Sequence, residues 1–323
     1  MELSNPFTFK YRPRTLQDFQ MGDDLRNVLH TFISLEKLNL LLVGNSGSGK
    51  TSLIHAIINH YYGFDVSSNC ENILSINTLK DQGISYYRNE VRVFCQTSSI
   101  IPGKKKILLL DDIDMINEQS QQVFRNCIDK YSHNVAFIAS CCNSQKVIDS
   151  LQSRMDIVKI FPYGKNELTR IANIISGLEG IQIEPEVIDF ITTVCNGSVR
   201  ILVNYLEKFK LVNMPITIDL ASELCTNISF KELAKYTEAC KEGKLKSALI
   251  VINKLIDKGY SVTDVLDNYF TFVKITDLLS EEQKYEIIPY ICKYITVFHN
   301  LHEDEIELVF FTNNIVDTIN KIK

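Results

Sequence analysis

Gly44-Asn45-Ser46-Gly47-Ser48-Gly49-Lys50-Thr51 is the stretch on which the fold turns. It satisfies the spacing G-x-x-x-x-G-K-[ST], follows the apolar run Leu38–Val43 and precedes the helix-like run Ser52–Tyr62. In a strand–loop–helix setting, glycines let the backbone curl until its N–H groups face phosphate oxygens, and the helix adds the positive end of its dipole. Lys50 is expected to reach the outer phosphates and Thr51 to place its hydroxyl on magnesium. Gly44, Asn45, Ser46, Gly47, Ser48 and Gly49 form the expected cradle. An incidental Gly/Ser loop with a lysine is the bland alternative, and the flanking strand and helix argue against it.

Working outward, Lys106-Ile107-Leu108-Leu109-Leu110-Asp111-Asp112-Ile113-Asp114 is an apolar strand that ends in acids. Such a strand delivers carboxylates to the phosphate end of a parallel sheet. Asp111 is expected to hold the magnesium ion, and Asp112 to orient or deprotonate an attacking water. Further short apolar runs occur at Ile73–Ile76, Val135–Ser140 and Ile157–Phe161, separated by helix-like stretches Tyr86–Phe94 and Gln119–Lys130. Unalternated strands with helices between them predict a largely parallel sheet covered on both faces.

From Asn166 the strand-like runs largely stop. Glu167–Leu178, Glu186–Cys195 and Val199–Leu211 read as three short helices, and the apolar face Ile201, Leu202, Tyr205, Leu206, Phe209 marks the last. Helices are expected again at Lys244–Lys258, Val262–Leu279, Glu282–Asn300 and Glu303–Ile319. The division expected is an α/β nucleotide domain over 1–162, a small helical domain over 163–227 and an all-α domain over 228–323.

Composition sets the bounds. Of 323 residues, 45% are hydrophobic, 23% are charged and 7 are proline, which excludes a disordered chain. No run is long and apolar enough to cross a bilayer, and the first ten residues lack the pattern of a secretory signal, so an intracellular site without membrane is expected. The 9 cysteines are scattered, lack any C-x-x-C pair and sit mostly in apolar runs, Cys141, Cys142 and Cys292 among them, so reduced core thiols are expected. With 34 basic and 39 acidic residues, a net of -5, the chain does not coat nucleic acid indiscriminately; only a local basic surface can serve.

Beyond these features, a set of landmarks in order resembles the small subunits of the replication factor C clamp loader, within the AAA+ ATPase superfamily. They are Lys10-Tyr11-Arg12-Pro13, the phosphate loop, Asn77–Ile84, the Asp111–Asp114 acids, Gln121-Gln122, Leu151-Gln152-Ser153-Arg154 and Gly197-Ser198-Val199-Arg200. The resemblance implies a P-loop domain, a helical lid and a helical collar, and an ATP-hydrolysing subunit that uses ATP and Mg2+. It implies four other loader subunits in a heteropentamer, a ring-shaped sliding clamp and primer–template DNA as partners. It places Arg12 and Pro13 beside adenine, Arg154 as an arginine finger reaching a neighbour's ATP, and Arg200 as the second sensor contacting phosphates in cis. Ile84, Arg88 and Arg92 match a helix that tracks the DNA backbone, four-residue spacing putting the two arginines on one face. A nuclear site follows for a cellular eukaryotic chain, and a host nuclear or cytoplasmic replication site for a viral one.

Three departures from the family pattern stand out. Asp111-Asp112 replaces Asp-Glu, shortening the second carboxylate by one methylene. The first sensor falls on Cys142 without a gap and on Asn143 with a one-residue slip. The amide is the better chemical choice and makes Asn143 the expected sensor. Met155 stands where the family has cysteine. Two alternatives stay open: a non-catalytic, ATP-sensing structural subunit of the loader, or another AAA+ DNA motor for branch migration or helicase loading.

Overall fold

The computed structural model describes residues 5–63, 71–77, 84–225, 228, 230–300 and 304–321. These fall into two compact units, Met1–Ile175 with Cys195–Glu207, and Ser176–Val194 with Lys208–Lys323.

The first unit is built on five parallel strands, β1 (Leu40–Gly44), β2 (Ile73–Asn77), β3 (Lys106–Asp111), β4 (Val135–Cys141) and β5 (Asp156–Ile160), in the order β2-β3-β4-β1-β5. All five apolar runs of the sequence are strands. They are apolar without alternation because each face meets a different layer. Leu40, Leu42, Ile107, Leu109, Ala136 and Ile138 face one core, which takes in helices α2 (Asp23–Ser34) and α3 (Lys50–Tyr62) through Leu29, Ile33, Leu53, Ile54 and Ile57. Leu41, Leu108, Leu110, Phe137 and Ala139 face the other, against α4 (Ile84–Gln96) and α5 (Glu118–Tyr131) through Tyr87, Val91, Cys95, Phe124 and Ile128. Each such side chain contributes about 1.5–3 kcal/mol on burial. Two one-turn helices complete the nucleotide domain, α1 (Phe7–Lys10) and α6 (Asp149–Gln152).

The remaining elements are helical: α7 (Lys165–Glu179), α8 (Pro185–Val194), α9 (Val199–Val212), α10 (Ile218–Cys225), α11 (Phe230–Lys241), α12 (Leu245–Asp257), α13 (Val262–Ile275), α14 (Glu281–Asn300) and α15 (Glu305–Lys321). The second unit's core is aromatic: Tyr236 meets Tyr269 edge-on at 5.2 Å and Tyr294 meets Phe311 at 5.4 Å, with Tyr236 donating to Thr312 Oγ1 at 3.1 Å.

Three expectations are corrected here. The helix expected over Val262–Leu279 stops at Ile275, because Thr276 turns extended and its hydroxyl accepts from Leu278 N at 3.2 Å, which lets Leu279 drop into the core. Helix α2 was not foreseen, since its apolar positions are interrupted by Asp, Arg, Asn and His. Cys142 and Cys292 are exposed rather than core thiols, Cys142 because it lies just past the end of β4; Cys95, Cys127, Cys141, Cys195, Cys225 and Cys240 are buried.

Candidate active site

The loop between β1 and α3 bends tightly enough that two of its glycines admit no side chain. A Cβ on Gly44 would sit 2.5 Å from Ile160 O of the adjacent strand, and Gly47 has φ +76° with Ser198 Oγ against the place its Cβ would take. Lys50, 6% exposed, is the first residue of α3 and turns back over the loop. Its ammonium donates to Gly44 O at 2.8 Å, Asn45 O at 3.0 Å and Cys142 Sγ at 3.3 Å. Ser48 Oγ is buried and has no hydrogen-bond partner among the described residues. A buried cation, an orphaned hydroxyl and a curled glycine backbone form a cradle whose chemistry fits phosphate oxygens.

The metal-side residues are joined through one carboxylate. Thr51 Oγ1 donates to Asp111 at 3.0 and 3.2 Å, Ser140 Oγ donates to Asp111 Oδ1 at 2.5 Å, and Ser140 Oγ also accepts from Asp112 N at 3.0 Å. A hydroxyl and a carboxylate side by side are hard oxygen donors of the kind Mg2+ takes, so the residues present fit that ion. Asp112 has a positive φ of 52°, an uncommon conformation for aspartate. Burial first, then the neighbouring Asp111 charge, raises its carboxyl above the ordinary range, which makes it a better proton acceptor. Arg200 lies close enough to lower it in part, and its Cβ is 3.5 Å from where a Gly47 Cβ would stand. Arg12 donates to Thr51 O at 3.3 Å from Nη2.

Beside the loop a cavity of about 170 Å³ is lined by Tyr11, Pro13, Phe19, Tyr163, Ile171 and Val203, among others. Its apolar and aromatic walls suit a flat base. Pro13 lines this cavity, and Arg12 meets the loop end at Thr51 O.

The two sensor candidates separate clearly. Asn143 caps a short 3-10 turn, its Oδ1 accepting from Gln145 N at 2.9 Å, whereas Cys142 brings its thiol to Lys50. The one-residue slip placed the amide at the site on chemical grounds; the strand places the thiol there, because β4 runs through Cys141 and Asp114 Oδ2 then holds both Cys142 N and Asn143 N at 3.1 and 2.9 Å.

Arg154 and the α4 arginines make no bond within this cluster among the described residues. Arg154 pairs with Asp129 of α5, Nε to Oδ1 at 2.6 Å. Arg88 and Arg92 are exposed on α4, along one border of its buried stripe of Tyr87, Val91 and Cys95. Ile84 begins α4, and residues 78–83 of the Asn77–Ile84 landmark lie outside the described residues. Lys106 does not join a basic surface: it is 4% exposed, and its ammonium donates to Phe94 O at 3.0 Å and Thr97 Oγ1 at 2.5 Å while covering the Phe94 ring. Burial lowers its pKa.

Sequence reasoning missed Ser140, and noted Asp114 and Gln121 only as landmarks. Gln121 is buried; its Nε2 donates to Ile116 O at 3.1 Å and Lys146 O at 2.9 Å, and its Oε1 accepts from Ile148 N at 2.9 Å. Its signal was available: a polar residue on the apolar face shared by Phe124 and Ile128.

Residues 40–163 match the ATPase family associated with various cellular activities (AAA), and residues 229–295 match the replication factor C C-terminal domain. The chain thus joins an AAA ATPase domain to a replication factor C C-terminal domain. A replication factor C small subunit of Methanococcus maripaludis is 28% identical over 288 residues, 88% of this chain and 90% of the relative. Replication factor C subunit 4 of Oryza sativa subsp. japonica is 28% identical over 289 residues, 88% and 84% of the two chains. A small-subunit relative from Acanthamoeba polyphaga mimivirus is 27% identical over 289 residues, 89% of each. Among solved structures, the Thermotoga maritima RuvB T158V variant superposes with a TM-score of 0.54 at 15% identity, covering 86% of this chain and 98% of that one, a likeness of fold alone. The chain is an ATPase with an AAA nucleotide-binding domain and a C-terminal helical region that matches the replication factor C domain. Among the described residues no helix is long and apolar enough to cross a membrane.

Proposed function

We propose that this chain is a clamp-loader subunit that binds ATP with Mg2+, joins four related subunits, helps to open a sliding clamp and places it on primer–template DNA. The observation that carries this reading is the presence on one chain of Lys50 folded over the glycine loop, the interlocked Thr51–Asp111–Ser140 cluster and a replication factor C C-terminal domain. In this reading 1–162 is the nucleotide domain, 163–227 the lid and 228–323 the collar.

Gly44 to Gly49 would wrap the phosphates with backbone N–H groups, and Lys50 would turn its ammonium from the loop carbonyls toward the outer phosphate oxygens. Thr51 and Asp111 would hold the ion, which when bound neutralises charge on the phosphates. Asp112 orients the attacking water and accepts its proton, helped by its raised pKa. Arg200 would contact the phosphates in cis, and Arg154 would extend into the neighbouring subunit's site. Arg88, Arg92 and Ile84 would track the DNA backbone without reading sequence. Cys142 is the better-placed first sensor, through Lys50. The base cavity, with Arg12 and Pro13 beside it, would take adenine.

A second reading, an ATP-sensing subunit that does not hydrolyse at its own site, is favoured by Asp112 and by a thiol where an amide would serve. The deciding experiment assembles the loader and measures ATP-driven clamp loading with the native chain and with Asp112→Asn. Clamp loading that needs this chain supports the first reading, and failure to assemble or load removes it. Unchanged turnover with Asp112→Asn selects the second. The replication compartment, nuclear or viral, follows from the source of the chain.

A further inference from the structure

The carboxylate of Asp129 is used by no step above, yet it makes the shortest ion pair of Arg154. Arg154 follows α6, and its Nε meets Asp129 Oδ1 at 2.6 Å while its Nη1 donates to Ser150 O at 2.6 Å and more distantly to Ser153 Oγ at 3.4 Å. The pair is not sealed away: the Arg154 side chain is 29% exposed and that of Asp129 42%. Asp129 lies in the last turn of α5, four residues after Arg125, whose Nε stands 3.8 Å from the other carboxylate oxygen. The pair with Arg154, then its charge and that of Arg125, hold the Asp129 carboxyl below its usual range, so it is ionised across the physiological range.

The geometry of the clasp is specific. Guanidinium has five N–H donors in a planar fork, and phosphate is met through the terminal nitrogens. Asp129 takes Nε and Ser150 O takes Nη1, on different sides of the fork; among the described residues Nη2 has no partner. A carboxylate on Nε and a carbonyl on Nη1 fix the plane of the group without occupying Nη2. A long side chain left free would spread over many rotamers, and a displacement of about 1 Å at a reacting group costs on the order of a hundredfold in rate.

We propose that Asp129 is a positioning residue for Arg154: it holds the guanidinium plane so that Nη2 faces the triphosphate of the neighbouring subunit. This rests on the reading of Arg154 as a finger acting in trans. Asp129 touches no substrate and acts only through the arginine.

The test uses the assembled loader and measures phosphate release at saturating ATP, clamp and DNA, together with KM for ATP, for Asp129→Ala, Asp129→Asn, Arg154→Ala and the Asp129→Ala/Arg154→Ala double variant. Thermal unfolding of each isolated chain verifies folding. The expected result for Asp129→Ala is a roughly tenfold to hundredfold fall in kcat at the adjoining site with KM unchanged. Asp129→Asn, which keeps an acceptor, should recover part of it, and the double variant should be no slower than Arg154→Ala alone. If Arg154→Ala is inactive while Asp129→Ala turns over normally, the positioning role falls and the trans reading stands. If Arg154→Ala turns over normally, the trans reading falls and the role of Asp129 with it. A faster Asp129→Ala loader, or a double variant slower than Arg154→Ala, overturns the proposal by showing that Asp129 restrains the arginine or acts elsewhere.

Discussion

Two lysines of the nucleotide unit are buried almost equally, Lys50 at 6% exposure and Lys106 at 4%, and they differ in everything that follows from their surroundings. Lys50 is held by carbonyls of a glycine loop and by a thiol, beside a hydroxyl that has no partner. Lys106 lies under α4, closed by a carbonyl, the Thr97 hydroxyl and the face of Phe94. The first cation faces acceptors that a phosphate can replace and has an empty hydroxyl next to it. The second is fully paired by the fold. Burial of charge therefore does not mark function here; the replaceability of its partners does.

The sharpest way to break this comparison is Lys50→Ala. Loss of charged hydrogen bonds to the outer phosphates should weaken ATP binding roughly a hundredfold, measured by calorimetry on the isolated chain, with little change in thermal stability. Unchanged affinity would remove Lys50 from the site. Next comes Gln121→Leu, which strands the Ile116 and Lys146 carbonyls and the Ile148 N–H; a loss of about 3 kcal/mol is expected in denaturant unfolding. Lys106→Met should behave oppositely to Lys50→Ala: roughly 1–3 kcal/mol of stability lost through the unpaired Phe94 carbonyl and Thr97 hydroxyl, with ATP affinity retained. An Arg88→Gln/Arg92→Gln chain in the assembled loader should bind DNA roughly tenfold more weakly on all sequences, with a shallower salt slope. A marked sequence preference there would contradict backbone tracking.

The smallest effect concerns the edge-on pair His30–His60, whose ring centroids lie 4.9 Å apart. Burial first, then His30, lowers the His60 pKa below its ordinary 6.5. Protonation consequently favours the unfolded chain, so the stability present above pH 6.5 should decline as pH falls through the lowered value. Thermal midpoints of the native chain and His60→Gln, taken between pH 7.5 and about 5, should converge at the acid end.

The same contrast explains what could be read from the sequence. The five strands were legible because uninterrupted apolar runs bounded by polar residues have few other ways to be buried, and the phosphate loop because its spacing is a mechanical requirement. Lys106 stands at the head of the strand expected from Ile107–Leu110, but the letters Lys104-Lys105-Lys106 do not say which of the three points inward. Asn143 was preferred to Cys142 on donor strength, a property of the residue, while the outcome depended on where β4 ends. Ser140 passed unnoticed within an apolar strand, although a hydroxyl there is what joins Asp111 to the backbone of Asp112. The Asp129–Arg154 pair spans 25 positions of chain, a distance at which opposite charges carry no signal without the fold.

The register of β5 against β1 has a mechanical result. Gly44 lies opposite Ile160, whose carbonyl leaves it no room for a Cβ, and three residues later Tyr163 N donates to Gly197 O at 3.3 Å. Three residues span at most about 10 Å, so the tether between strand tip and turn is short. A small shift of the strand tip beside Gly44 therefore cannot be absorbed by a compliant spacer: it either pulls the Gly197 turn along with it or breaks the bond that ties the two.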